Sequence, residues 1–397
     1  MGDTAARRGR WAVAAMFLAN GFVMGAWAPQ IPLLLPRHGI TEGTLGLLIL
    51  VLGMGAVGAM LFCGRLIGHF GARSVLRAFM LAVVPVLPVV VFAPSVGALA
   101  IAMAAFGAMI GCMDVAMNAN AVEVERRLGR AIMSSSHGFW SLGGFIGGGL
   151  GSLIIARAGS EVQALLTAGV ALAMVLAASP YLMAGDPPAP REQTAPPARL
   201  LPRDGALWLL GAMALLSMVP EGAVLDWAAL YLQQEMGAGV ETAGLAFALF
   251  AGAMAAVRFA GDAIRNRFGA VRVLRMSGLI GAAGLAIAAA APTPGLALAG
   301  FALSGLGVAN MVPVVFSAAG NHPGLPAGAA IATVTMLGYA GILVAPASIG
   351  FAAEAVGFRT TFAVLAVLLA VVATLAGRAA AADAARTLPP LGAGRPA

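Results

Sequence analysis

The sequence contains no lysine; all 23 of its basic residues are arginine. Charged side chains of both signs make up 10% of the 397 residues. A soluble domain carries about 25%, so this chain cannot coat itself with a water-compatible surface. That excludes a free-standing soluble enzyme or binding module. With 60% hydrophobic residues and a mean hydropathy of +0.94, the chain reads as an integral membrane protein. Cysteine is scarce too. Cys63 and Cys112 both lie in apolar stretches and read as small packing residues, with neither a disulfide framework nor metal-ligand spacing. No metal and no cofactor is expected. A phosphate-binding G-x-x-x-x-G-K-[ST] loop is also missing, so ATP does not drive the protein. The net charge of +7 sits in short segments between apolar stretches, where it orients a membrane protein rather than binding nucleic acid.

Crossing the hydrocarbon core takes about 20 apolar residues. The chain offers spans at 11–35, 44–67, 75–93, 96–122, 133–157 and 161–184. A second set follows at 205–233, 241–264, 272–291, 295–320, 327–352 and 358–380. The N-terminus imitates a cleaved signal, with Arg7, Arg8 and Arg10 before an apolar run and Ala26-Trp27-Ala28 after it. Pro29 follows that site and apolar segments continue to the end of the chain, so the segment is read as the first span. Between the sets, residues 185–203 hold six prolines and five charges and read as an exposed linker. The expected organisation is a bundle over 1–184, the linker, and a bundle over 204–397. Twenty arginines fall on the side of the N-terminus and three (Arg37, Arg157 and Arg359) on the other. Arginine excess marks the cytoplasmic side, so both termini are expected there.

The two sets also repeat one another. FGARSVLR at 70–77 and FGAVRVLR at 268–275 agree at six of eight positions, 198 residues apart. Gly46 and Gly244 keep that offset, and Trp27 and Trp227 stand 200 apart. Parallel repeats of this kind belong to transporters that rock one bundle against another.

Polar groups at membrane depth are costly and mark functional candidates. Asp114 ends an 18-residue run, Val96 to Met113, with no charged or amide side chain, and Asn118 follows one turn later. Asp114 is either interfacial or faces a cavity. Spans 4 and 5 form an antiparallel hairpin, which places Asn118 level with His137 and Asp114 level with Ser141. One face of each helix is expected to meet the other. His137 is a candidate proton group because imidazole titrates near neutrality; a merely structural histidine fits as well. Span 7 supplies Glu221, beside the helix-weakening Pro220, and Asp226, on a different face with Trp227. The proton-coupling candidates are Asp114, Glu221 and His137. Amides and indoles suit a hydroxylated solute, the amides bonding hydroxyls and the rings packing on apolar faces. By that logic Asn20, Trp27, Gln30, Asn118, Trp227 and Asn310 are substrate-binding candidates, and Asp226, beside Trp227 in span 7, joins them. The glycine run GGFIGGGLGS at 143–152 permits close helix packing.

With these residues in place, the chain resembles the major facilitator superfamily over nearly its whole length. GRLIGHFGARS, from Gly64, is similar to that family's G-x-L-x-D-R-x-G-R-[KR] loop, with Gly68 at the acidic position. RFAGDAIRNRFG, from Arg258, is a second copy in a shifted frame. The resemblance implies an all-α polytopic fold of twelve helices in two six-helix bundles. It makes Gly64, Gly71, Arg73, Arg258 and Asp262 cytoplasmic gate candidates. Asp114 with Asn118, and SHGFWSLGG at 136–144, resemble the fucose–proton symporter group of sugar permeases, which adds Trp140 as a substrate-binding candidate. Where that group carries an acidic residue in span 1, residues 11–35 contain none.

The expectation is a secondary active, proton-coupled transporter, not an enzyme, working as a monomer by alternating access in a bacterial inner membrane. Its partners are a small polar organic solute (a sugar or sugar derivative), protons and the lipid bilayer. The alternative is proton-driven efflux of amphiphilic compounds or drugs, which the absence of the antiporter proline from the span 5 glycine run disfavours. A membrane receptor is a third class, and it would be expected to add an output domain. Ser136, His137 and Asp114 can be drawn as a catalytic triad, yet nothing supplies an oxyanion hole.

Overall fold

The computed structural model describes residues 2–128, 132–184, 204–322 and 327–386. The expected linker and Arg130 lie outside the described residues, as does the side chain of Asp262. The described chain is helical throughout. In the first half the helices are α1 (Gly2–Trp27), α2 (Ile31–His38), α3 (Glu42–Phe70), α4 (Ala72–Val83), α5 (Val86–Val91), α6 (Val96–Leu128), α7 (Met133–Ala158) and α8 (Ser160–Ala178). In the second they are α9 (Gly205–Met236), α10 (Val240–Phe268), α11 (Ala270–Ala290), α12 (Pro294–Val308), α13 (Met311–Gly320) and α14 (Ala327–Leu375).

Three expected spans are broken, each at proline. A 3-10 turn at Ala28–Gln30, containing Pro29, joins α1 to α2. Pro85 separates α4 from α5, and Asn310 with Pro313 marks the step from α12 to α13. In each case proline cannot donate to the carbonyl four residues earlier. Conversely, α14 covers two successive helices over 49 residues, more than one crossing of a bilayer core needs. Gly357, at φ 80°, divides it between the eleventh and twelfth spans. The result is two six-helix bundles.

Among the described residues, every glycine with positive φ has a counterpart 198 residues away. Gly39 and Gly237 (61° and 64°) close the first span of each half, Gly71 and Gly269 (79° and 82°) the second, and Gly159 and Gly357 (88° and 80°) the fifth. Such a backbone suits glycine, which carries no Cβ to clash. The repeat seen in the loop sequences is therefore also a repeat of chain reversals.

A second correspondence lies at the arginine-poor end, where charges are exchanged between the halves. Arg37 pairs with Glu161 at 3.2 Å, and at positions 198 further on Glu235 pairs with Arg359 at 3.4 Å. Both arginines also donate to the carbonyl ending the third span of their half, Arg37 to Val91 and Arg359 to Ala289, again 198 apart. Each half thus ties its first, third and sixth spans together with the same geometry and opposite charges.

Candidate functional site

Glycine sets which helices reach the centre of the molecule. Gly21 and Gly25 on α1 face the backbone carbonyls of Trp140 and Gly144 on α7, while Gly143 and Gly147 face those of Leu18 and Phe22. No side chain fits there. The opposite face of α7 meets α10 across the seam between the halves, with Gly144 against Ala251 and Phe247 and Gly148 against Ala248. The glycine run at 143–152 therefore joins α7 both to its own bundle and to the other one.

Where α7, α9 and α10 converge, Arg258 reaches from α10 to both neighbours. Its Nη1 donates to Ser141 Oγ at 2.7 Å, and its Nη2 lies 3.4 Å from Glu221 Oε2. The Arg258 side chain is 13% exposed and that of Glu221 24%. This is an ion pair inside membrane-spanning helices, with a hydroxyl from the opposite half as its third member. One turn earlier on α7, the His137 ring packs edge-on against Phe17, centroids 5.1 Å apart. Beside it, Trp140 Nε1 donates to Asn20 Oδ1 at 2.8 Å, and Asn20 Nδ2 contacts Met113 Sδ at 3.1 Å. Towards the arginine-rich end, Phe139 and Phe259 meet edge to face across the seam, with Arg10 over the Phe139 ring.

Asp114 stands well inside α6. Asn118 Nδ2 donates to the Asp114 carbonyl at 2.9 Å and lies 3.4 Å from its carboxylate. Both are half-buried, on the face where Gly107 and Gly111 pack against Leu52 and Ala56 of α3. The expected meeting of spans 4 and 5 does not occur. His137 turns to Phe17 and Ser141 to Arg258, because α1 and α10 occupy the two faces of α7.

The expected solute-facing stripe on span 1 is corrected as well. Trp27 is buried against Phe106, and Gln30 donates to Gln163 and to the Ser160 carbonyl inside the first bundle. Only Asn20 of that stripe reaches the central cluster. Trp227 is buried beside Phe358, and Asp226 is buried next to it. Asn310 occupies the α12–α13 break and presses against Gly261. Of the gate candidates, Gly64 faces open space and Gly71 closes α3, while Arg73 donates to the Pro180 carbonyl. Arg258 belongs to the centre rather than to that loop. One signal for it is in the sequence: it falls inside the eighth expected span. Gln163 and Glu354 escaped the sequence reading altogether.

At the arginine-poor end the seam is shut. The Glu354 carboxylate accepts the Gly43 N–H at 2.7 Å, and Gln234 Nε2 donates to Glu42 Oε1 at 2.5 Å. Gly46 packs on Ala347, and Gly53 on Leu343. Further along α3, Gly58, Gly64 and Gly68 face open space. Among the described residues no cluster of three metal-binding side chains occurs.

The family model described as Major Facilitator Superfamily matches residues 13–326 and 223–395. The chain is 38% identical over 361 residues to an uncharacterised MFS-type transporter of Yersinia pestis, covering 91% of this chain and 93% of that one. It is 34% identical over 364 residues to an uncharacterised transporter of Sinorhizobium fredii, covering 92% and 96%. Among solved structures, the nucleoside transporter NupG superposes with a TM-score of 0.71 at 13% identity, covering 93% of this chain and 98% of that one. The E. coli fucose:proton symporter FucP gives 0.61 at 18%, covering 93% and 98%. A D-xylose–proton symporter gives 0.71 at 15%, covering 93% and 96%. At such identities these structures speak for the fold alone.

Proposed function

This chain belongs to the Major Facilitator Superfamily, and from that premise we propose that it is a proton-coupled carrier of a small polar organic solute, a sugar or sugar derivative. It works by alternating access in a bacterial inner membrane, with the arginine-rich end cytoplasmic. The observation that carries this reading is the Arg258–Glu221–Ser141 bridge across the seam between the bundles. A proton on Glu221 removes its charge, weakens the bridge and frees the two halves to move, so protonation and rocking are one event. Asp114 has no such lever. Its partner is Asn118 on its own helix, and neutralising it breaks no contact between halves. The structure therefore favours Glu221 over Asp114 as the coupling group, reversing the order in which the sequence presented them.

The Trp140–Asn20 pair beside the bridge offers an indole face and an amide to a hydroxylated solute. Support for a sugar-like solute comes from this chemistry and from the solutes named for FucP and the xylose symporter, which share the fold. The test is a thermal-shift panel of neutral sugars, sugar acids, nucleosides and amphiphilic drugs on the purified protein, repeated with Asn20→Ala. A sugar-class solute is expected to stabilise the wild type and not the variant. Stabilisation by amphiphilic drugs alone would establish the efflux reading instead.

A further inference from the structure

Asp226 lies on α9 five residues beyond Glu221, about 7.5 Å along the helix axis. It is 7% exposed, and its carboxylate makes no hydrogen bond or ion pair with the described residues. Its neighbour Trp227 is fully buried, with Nε1 facing no acceptor. Both border one cavity of about 20 Å³ between α9 and the eleventh span. The other lining side chains, those of Met218, Val219, Ala223, Ala345, Pro346 and Ile349, carry no oxygen or nitrogen beyond the backbone.

The size of the cavity limits its occupant. A water needs about 10–15 Å³ of such space, whereas solute pockets run to about 300 Å³ and more. A carboxylate in apolar surroundings is expensive as an anion and is neutralised by a proton or by a cation. A metal cation calls for several oxygen ligands. Here it would find one carboxylate, and no other lining side chain offers an oxygen. A proton has no such requirement.

We propose that Asp226 and this cavity form an internal proton site, with the carboxyl group protonated and one water beside it. The water donates to a carboxyl oxygen. The reading rests on proton-coupled transport and supplies it with a store. Once further water enters, the proton on Asp226 passes along α9 to the Glu221 carboxylate, leaving Asp226 ionised and Glu221 neutral, with no other bond made or broken. The Arg258 bridge then weakens. Refilling comes from the other side. A Cβ on Gly350 would stand 2.9 Å from Trp227 Cη2 and 2.7 Å from the Glu42 carbonyl of the opposite half, so the cavity roof is part of the shut seam. Opening that seam uncovers the cavity. Among the described residues no other titratable side chain lines it, and Glu221 is the nearest on α9.

Infrared difference spectroscopy on the full chain in nanodiscs, without solute, tests this directly. At neutral pH the wild type is expected to show the C=O stretch of a protonated buried carboxylic acid. Asp226→Asn is expected to lose that band. Glu221→Gln and Asp114→Asn should keep it, and sodium chloride should leave it in place. Should Asp226→Asn fail to fold, Asp226→Glu is expected to move the band. A band unchanged in both Asp226 variants, or one removed by sodium, would overturn the proposal. The transport reading fails separately, if proteoliposomes move no proton with any solute while the band is present.

Discussion

At the residue scale the account turns on which carboxylate is coupled to movement. Asp114 drew notice in the sequence because it ends a long apolar run, and Glu221 because it follows a proline. Neither signal says what the group touches. Arg258 is what separates them, and it approaches from a different span of the second bundle, so their adjacency was illegible without the fold. A one-unit pH gradient supplies about 1.4 kcal/mol per proton, enough for roughly tenfold accumulation of a neutral solute. Wild-type protein in proteoliposomes is expected to approach that ratio. Glu221→Gln is expected only to equilibrate solute while retaining exchange, and Asp114→Asn to accumulate as wild type does. Loss of accumulation in Asp114→Asn with an unaffected Glu221→Gln would return the coupling role to Asp114.

Elements supply the second level, and here the sequence was most readable. Hydropathy located all twelve spans, and glycine composition announced close packing. It did not say that Gly143 and Gly144, adjacent in the chain, face different bundles, since that depends on a helix turning about 100° per residue between two partners. Gly143→Val should therefore destabilise the protein by about 1–3 kcal/mol through overpacking, seen as a lower melting temperature. Gly144→Val meets side chains across the seam instead, and is expected to slow transport with a smaller thermal effect. Equal thermal losses in both variants would show that the two faces are not distinct.

The shut seam offers another test at this scale. Glu354 caps the start of α3 from the opposite half, so this bond exists only while that end is closed. Hydrogen bonds from the Thr41 hydroxyl and the Gly43 N–H hold its carboxyl below the usual carboxylate range. A group lowered in this way contributes above its ordinary value near pH 4.3 and fades only as pH falls through the lowered value. Labelling of Glu42→Cys by an external thiol reagent should therefore not change between pH 5.5 and 8 on account of Glu354. Glu354→Gln should raise that labelling about two- to fivefold, the range associated with a charge at a helix N-terminus. Labelling that rises on mild acidification in wild type and not in Glu354→Gln would contradict this.

On the scale of the whole molecule, two six-helix halves related by a parallel repeat were legible from one loop motif and an offset of 198. The exchanged ion pairs were not. Arg37 and Glu235 look unrelated in sequence, because the repeat conserves the pairing and reverses its sense. Exposed pairs are worth about 0–1 kcal/mol, so Glu161→Ala is expected to leave the melting temperature within a few degrees of wild type. Arg37→Ala should cost more, since Arg37 also holds the Val91 carbonyl and the Ser160 hydroxyl. Equal shifts would assign the whole effect to the ion pair.

The central claim is that solute movement and proton movement are one process, joined at Glu221. The most direct measurement is the pH of a weakly buffered suspension of proteoliposomes when a stabilising solute from the thermal-shift panel is added. The expected result is alkalinisation of the medium as proton and solute enter together, abolished in Glu221→Gln although that variant still exchanges labelled solute. Solute entry without any pH change in the wild type, or alkalinisation that survives Glu221→Gln undiminished, would contradict the account.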